Sequence, residues 1–273
     1  MAATLLLLVG MPALTTALAI KILIGLAVGI LIGLTGLGGG VLLLPLLIFV
    51  VGVPPIIAVG SDAFFNFVTK IGSSWMHLRH GTVRRKVVLA LACGSIPGSI
   101  AGVTYLGHLR KVYGNGVNVF LTTAIGVLLL CIPTLLLFQR RIEERVANRP
   151  PTMKSFAGMC VIGVLAGVLV GMTSVGSGSI VMLLLLLFYS YPPKVMVGTD
   201  IVHAVALTGV TSLMHFRLGN VDTSLVFSLL IGSIPGGLIG AHYSTRVPML
   251  WLRRILCTVL LATGARMILS VLL

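Results

Sequence analysis

Residues 33–102 of this chain occur twice. The stretch from Gly33 to Gly102 returns as Gly171 to Gly240 at a constant offset of 138 residues, without a gap. About 25 of roughly 70 aligned positions are identical, far above chance even between apolar segments. Each copy carries a Gly-rich interruption at the same place. A duplicated apolar chain with matching Gly breaks has the layout of transporter folds, in which broken helices from two repeats frame a site near the membrane midplane.

The composition agrees. The 273 residues are 58% hydrophobic and only 9% charged, with a mean hydropathy of +1.16. A soluble domain needs far more charge on its surface, so the chain reads as an all-α polytopic membrane protein. Its net charge of +14 lies in short loops between apolar runs. That distribution suits cytoplasmic loops and anionic lipid headgroups, and it excludes a nucleic-acid-binding domain. Cys93, Cys131, Cys160 and Cys257 are scattered through apolar runs without metal-ligand spacing, and they read as small packing residues. No cofactor is expected.

Apolar runs fall at about 18–35, 41–53, 56–76, 87–107 and 116–138, then at about 155–172, 179–191, 195–215, 224–242 and 248–271. This divides the chain into an N-terminal apolar segment (1–17), a first repeat (18–138), a basic polar linker (139–154) and a second repeat (155–273). The first segment reads as a short or interfacial membrane element or a signal peptide. The second run of each half has about 13 residues, or roughly 20 Å of helix, too short for a core of about 30 Å. The expected fold is therefore two homologous five-element halves, about eight full spans plus two short Gly-broken helices. Loops 78–86, 139–154 and 243–254 are basic and fit the cytoplasm, whereas 216–223 fits the outside. This switch, with the odd element count, predicts inverted repeats. A parallel arrangement stays open if the short elements turn back.

Two features point to chemistry. The Gly turns around Thr35, Gly36, Gly38, Gly39 and Gly40, and around Thr173, Ser174, Gly176, Ser177 and Gly178, place backbone N–H groups at helix starts. Such ends suit an anion, and the second turn adds hydroxyls. Close helix packing through small residues is the structural alternative. The third element of each half carries a polar stripe. Asp62, Asn66, Thr69, Lys70, Ser73 and His77 share one helical face, as do Asp200, His203, Thr208, Thr211 and His215. Such a face turns toward protein or a water path rather than lipid.

Asp62 and Asp200 suit helix capping, proton coupling or both. Lys70 suits snorkelling or a substrate counter-charge. His77, His203 and His215 are further proton-transfer candidates, with interfacial anchoring as the alternative for His77 and His215. Pro97 and Pro235, in repeated Ser-Ile-Pro-Gly segments, read as breaks or hinges in the fourth helix of each half. No nucleophile–base spacing, metal-ligand cluster or Walker loop is present in the sequence, which points away from an enzyme or ATP-driven pump.

Several segments together resemble the TauE/SafE family of sulfite exporters, also called TSUP. They are Gly33-Leu-Thr-Gly-Leu-Gly-Gly-Gly-Val-Leu-Leu-Leu-Pro45, Val-Gly-Val-Pro-Pro55, Ala58-Val-Gly-Ser-Asp62, His77-x-Arg-x-Gly81-x-Val83 and Gly94-Ser-Ile-Pro-Gly98. The resemblance covers residues 18–273. It implies an inner-membrane carrier of small sulfur-containing anions such as sulfite, thiosulfate or sulfoacetate, with export the expected direction. The second turn departs from the first, with Ser174 and Ser177 opposite Gly36 and Gly39, and Leu183 opposite Pro45.

The expectation is a secondary transporter of a sulfur oxyanion embedded in the bilayer, with one half or hairpin rocking against the other. The turns would coordinate the anion, Lys70 would supply positive charge, and Asp62 or Asp200 would couple protons. An anion channel, an uptake facilitator and a non-transporting accessory subunit are the alternatives.

Overall fold

The computed structural model describes residues 2–35, 40–146, 155–188, 193–243 and 249–272. Among these, ten α-helices form. They are α1 (Ala2–Thr35), α2 (Gly40–Phe49), α3 (Pro55–Arg79), α4 (Arg85–Tyr113), α5 (Gly116–Val146), α6 (Phe156–Thr173), α7 (Ser179–Phe188), α8 (Pro193–Arg217), α9 (Thr223–Tyr243) and α10 (Met249–Leu272). The duplication survives as geometry: α3 and α8 both have 25 residues, with bounds displaced by the sequence offset. The short helices α2 and α7 have 10 residues each. Each reaches about 15 Å, half of a hydrocarbon core. Both are buried in apolar surroundings, α2 through Leu43, Leu44 and Leu47, and α7 through Val181, Met182 and Leu185.

Three boundaries differ from the sequence expectation. Residues 2–17 form no separate element, because α1 is one helix of 34 residues. The basic linker begins inside α5, which continues to Val146; Gln139-Arg-Arg-Ile-Glu-Glu-Arg consists mostly of good helix formers, and its polarity does not stop a helix. The prolines at 97 and 235 do not break their helices, since α4 and α9 run through them.

The first helix of each half packs on the fourth helix of the other. Gly25, Gly29 and Gly33 of α1 press on Leu229, Ser233 and Gly237 of α9, and a Cβ at these positions would lie 2.1, 2.4 and 2.3 Å from those carbonyl oxygens. The same seam recurs one offset later: Gly163, Gly167 and Gly171 of α6 press on Leu91, Ser95 and Ser99 of α4. Only a residue without a side chain lets two backbones approach so closely, and small residues every fourth position are how helices associate inside lipid.

The third helices show the relation between the halves. The Ser61 hydroxyl, near the start of α3, accepts the Asp222 N–H just beyond the end of α8 at 3.0 Å. Its counterpart Thr199, near the start of α8, accepts the Arg84 N–H just beyond the end of α3, also at 3.0 Å. Each helix thus begins where its repeat-mate ends. Repeat-equivalent helices run antiparallel, and the two halves are inverted.

Both helices end in the same motif. Gly81 and Gly219 have φ of 65° and 68°. The N–H of the following residue bonds back to His77 O in α3 and to His215 O in α8, a Schellman-type stop. Tracing the short turns, the 78–86 loop, the end of α5 and the end of α9 fall at one end of the bundle. Those are the three basic regions expected to share a side.

Seven of the helices are long and apolar enough to cross a membrane. α3 lies alongside α8 over equal length but is less apolar, because its inner face is polar. The outer surface is greasy: Phe227, Ile231, Ile234 and Leu238 form an exposed stripe on α9, as expected of a lipid-facing helix.

Gly167→Val is expected to abolish the monodisperse peak in detergent size-exclusion chromatography, because its Cβ would lie 2.2 Å from the Ser95 carbonyl oxygen. Gly72→Ala, where a Cβ meets nothing within 4 Å, is expected to leave the peak intact and raise thermal stability by up to about 1 kcal/mol.

Candidate functional site

The inner face of α3 carries Asp62, Asn66 and Lys70 at one-turn spacing, all buried. The turn between α6 and α7 faces them. Thr173 ends α6, its hydroxyl donating to Leu169 O at 2.7 Å and accepting the Val175 N–H at 3.3 Å. Ser174 then adopts φ 57° and Gly176 φ 97°, left-handed conformations that reverse the chain before α7. Two side chains of α3 pin this turn. The Ser174 hydroxyl donates to Asp62 Oδ2 at 2.7 Å, and Lys70 Nζ donates to Ser177 Oγ at 2.8 Å. Asn66 Nδ2 donates to the same Asp62 oxygen at 3.0 Å and to the Asp62 carbonyl at 2.9 Å. Gly178 follows in the turn and accepts the Met182 N–H.

The antiparallel α8 closes the other side. Its stripe of Asp200, His203, Thr208, Thr211 and His215 is buried throughout. α4 supplies two serines to it: Ser95 Oγ lies 2.8 Å from His203 Nε2, and Ser99 Oγ lies 2.7 Å from Thr211 Oγ1. Asp62 and Lys70 lie two turns apart on α3, and Asp200 is buried on the antiparallel α8, one carboxylate from each repeat. Asp62 Oδ1, Asn66 Oδ1, Asp200 Oδ1 and His203 Nδ1 are buried without a hydrogen-bond partner. A buried polar atom left unpaired costs about 1–3 kcal/mol, so these four atoms mark a polar interior on the facing sides of α3 and α8.

The expected residues divide accordingly. Asp62 and Lys70 meet Ser174 and Ser177, while Asp200 and His203 are buried on the facing helix α8, His203 against Ser95. His77 and His215 instead lie at the helix stops. His77 Nδ1 is 2.9 Å from the Thr82 hydroxyl, and His215 Nδ1 is 3.4 Å from Asn220 Nδ2. His215 Nε2 also donates to the Gly171 carbonyl at 2.9 Å, satisfying a last-turn acceptor of α6. Ser73 of the α3 stripe is exposed.

In the first Gly turn, Thr35 ends α1 and Gly40 opens α2, while Gly36, Gly38 and Gly39 lie outside the described residues. Pro97 and Pro235 sit on the seam helices rather than beside Lys70. Sequence reasoning missed Ser95 and Ser99. Both flank Pro97, one turn apart, but the proline drew attention to the backbone instead of the hydroxyls.

Antiparallel repeats, two half-length helices and a buried ammonium with a buried carboxylate on each of the two paired helices, set inside an apolar bundle, define the class: a polytopic membrane transporter. The chain belongs to the sulfite exporter TauE/SafE family, whose family model matches residues 21–267. It is 38% identical over 251 residues to the probable membrane transporter protein YjnA of Bacillus subtilis, covering 90% of this chain and 98% of that protein. Two further relatives are the B. subtilis probable membrane transporter protein YunE, 26% identical over 91% of this chain and 96% of its own, and the Methanocaldococcus jannaschii probable membrane transporter protein MJ0441, 28% identical over 82% of this chain and 81% of its own. No solved structure matches the chain.

The Ser174–Asp62 bond yields a stability test. Ser174→Ala is expected to remove about 1–3 kcal/mol, because the Asp62 carboxylate loses its shortest donor in a buried place. The check is the thermal unfolding midpoint of purified protein in detergent, with Ser224→Ala on exposed α9 surface as the unaffected comparison.

Proposed function

We propose that the chain is a proton-coupled secondary transporter of a small sulfur-containing oxyanion, sulfite-like or sulfonate-like, and that it exports this anion across the inner membrane. The observation that carries the reading is Lys70. It is a buried ammonium on a spanning helix, and its hydrogen bond goes to a hydroxyl of the Gly turn. An ammonium at that depth costs about 2.5–3.5 kcal/mol on insertion scales and is kept where it meets a counter-charge. An oxyanion bridging Lys70, Ser177 and the turn backbone supplies one.

The coupling follows from charge. With Asp62, Asp200 and Lys70 all ionised, the centre carries −1 and repels an incoming anion. One proton on either carboxylate brings it to zero, and a second brings it to +1. Proton uptake therefore favours anion binding and the two travel together, so that export runs on the outward gradient of an accumulated anion and not on the inward pull of the protons. The unpartnered oxygens Asp62 Oδ1 and Asp200 Oδ1 are the atoms that would accept those protons. The family supports a sulfur anion as substrate, and basic loops at one end of the bundle support a cytoplasmic face there.

Counterflow in proteoliposomes holding the purified chain, against sulfite, thiosulfate, sulfoacetate, taurine and lactate, is expected to show saturable uptake of at least one sulfur anion, accelerated by an inward proton gradient. Lys70→Gln is expected to lower that flux at least about tenfold, with expression unchanged. Asp200→Asn is expected to retain counterflow while losing the response to the gradient. Gly39→Val and Ser177→Val should each abolish transport without loss of protein. Absence of flux from the wild type would leave the accessory-subunit reading, and unsaturable flux would leave the channel. Normal flux in Lys70→Gln would remove that residue from the site.

A further inference from the structure

We infer that His203 is a hydrogen-bond donor to the transported anion, and that Ser95 is the positioning residue that makes it one. The inference rests on the transport reading above and assigns a further group to the same site.

Serine and threonine hydroxyls inside helices usually give their proton to the carbonyl four residues back. Thr104, Thr199, Thr208, Thr211 and Ser228 do so here. Ser95 does not: its hydrogen bond runs across the helix interface to His203 Nε2 at 2.8 Å. A hydroxyl carries one proton, and the ring nitrogen is the acceptor that this one has. With Ser95 as the donor, Nε2 is bare and the proton of the neutral imidazole sits on Nδ1.

That Nδ1–H is buried and unpartnered. Asp200, one turn earlier on α8, does not take it, since Nδ1 has no hydrogen-bond partner. α8 passes α3 with Gly209 against the Phe67 ring, so His203, six residues before that point on α8, and Lys70, three residues after it on α3, fall within about one helical turn of each other along the antiparallel pair. A buried N–H near an ammonium, with no protein acceptor, fits an oxygen-rich anion. His215 on the same helix is the contrast, because both of its nitrogens have protein neighbours.

Ser95 is held where this requires. Its backbone is clamped against Gly167 of α6, where even one extra carbon would lie 2.2 Å from the Ser95 carbonyl oxygen. The other repeat lacks the device. Ser233 is the counterpart of Ser95, and its hydroxyl is buried without a partner; the counterpart of His203 is Phe65, which has no acceptor to offer. The donor thus belongs to the repeat whose Gly turn also carries the added hydroxyls.

The test uses the full-length protein in liposomes, labelled with [15N]histidine, with sulfite as the probe. The His203 signals are those lost in His203→Phe, a substitution that copies the first repeat. They are expected to report a protonated Nδ1 and a bare Nε2, to become a tautomer mixture in Ser95→Ala, and to be restored in Ser95→Thr. Sulfite is expected to shift the Nδ1 signal.

In transport, His203→Phe and Ser95→Ala are each expected to raise KM about tenfold, with maximal flux within about threefold of wild type and Ser95→Thr near normal. A protonated Nε2 in the wild type, or an unchanged KM in His203→Phe, overturns the donor role alone. No flux of any tested anion from the wild type overturns the transport reading and the donor role together.

Discussion

Two glycine seams hold this molecule together, α1 against α9 and α6 against α4. Inside a bilayer there is no hydrophobic gain from joining two helices, since lipid tails are as apolar as leucine. What remains is close packing, and the glycines permit it by removing every side chain from the contact. Each seam joins a helix of one half to a helix of the other. The halves that are separate in sequence are therefore not separate bodies in space. Any motion that exposes the centre to alternate sides must carry α1 with α9 and α6 with α4. The expectation that one sequence half rocks against the other sits poorly with that exchange.

With the seams in place, α3 and α8 are set antiparallel through the middle. Gly60 and Gly198 let the start of each helix press on the terminal turn of the other, and the adjacent Ser61 and Thr199 bond the backbone there. The repeated tripeptides Gly60-Ser61-Asp62 and Gly198-Thr199-Asp200 thus divide their work. The glycine makes room, the hydroxyl fastens the neighbouring chain, and the carboxylate turns inward to the centre. The helix capping that sequence alone allowed the acids does not occur, because α3 and α8 begin seven residues earlier, at Pro55 and Pro193, with no acidic residue in the first turn.

Much of this was legible in the sequence. The constant offset located both short helices, the polar stripes identified the inner faces of α3 and α8, and loop charge predicted the inversion that the Ser61 and Thr199 contacts display. What was not legible depended on partners distant in sequence. Gly25, Gly29 and Gly33 have seam spacing, yet nothing local says which helix they meet. Ser95 lies 108 residues from His203, and the proline beside it offered a simpler story. The helical start of the basic linker is hidden for another reason, because polarity marks where a chain leaves lipid and not where a helix ends.

The second repeat also serves as a comparison for the first. α8 has Thr208 where α3 has Lys70 and Ala204 where α3 has Asn66, yet both form helices of 25 residues with the same terminal turn. Neither the lysine nor the asparagine is needed to build such a helix. Conversely, α3 has Phe65 where α8 has His203, and the first Gly turn has Gly36 and Gly39 where the second has Ser174 and Ser177. The shared positions maintain the scaffold, and the unshared ones converge beside Asp62 and Asp200. A strictly two-fold arrangement would offer two equivalent half-sites and repel charge equally from each. Lys70 lies on one half and Ser174, Ser177 and His203 on the other, so the polar interior is asymmetric, and under the transport reading proposed above an anion would meet donors from both halves.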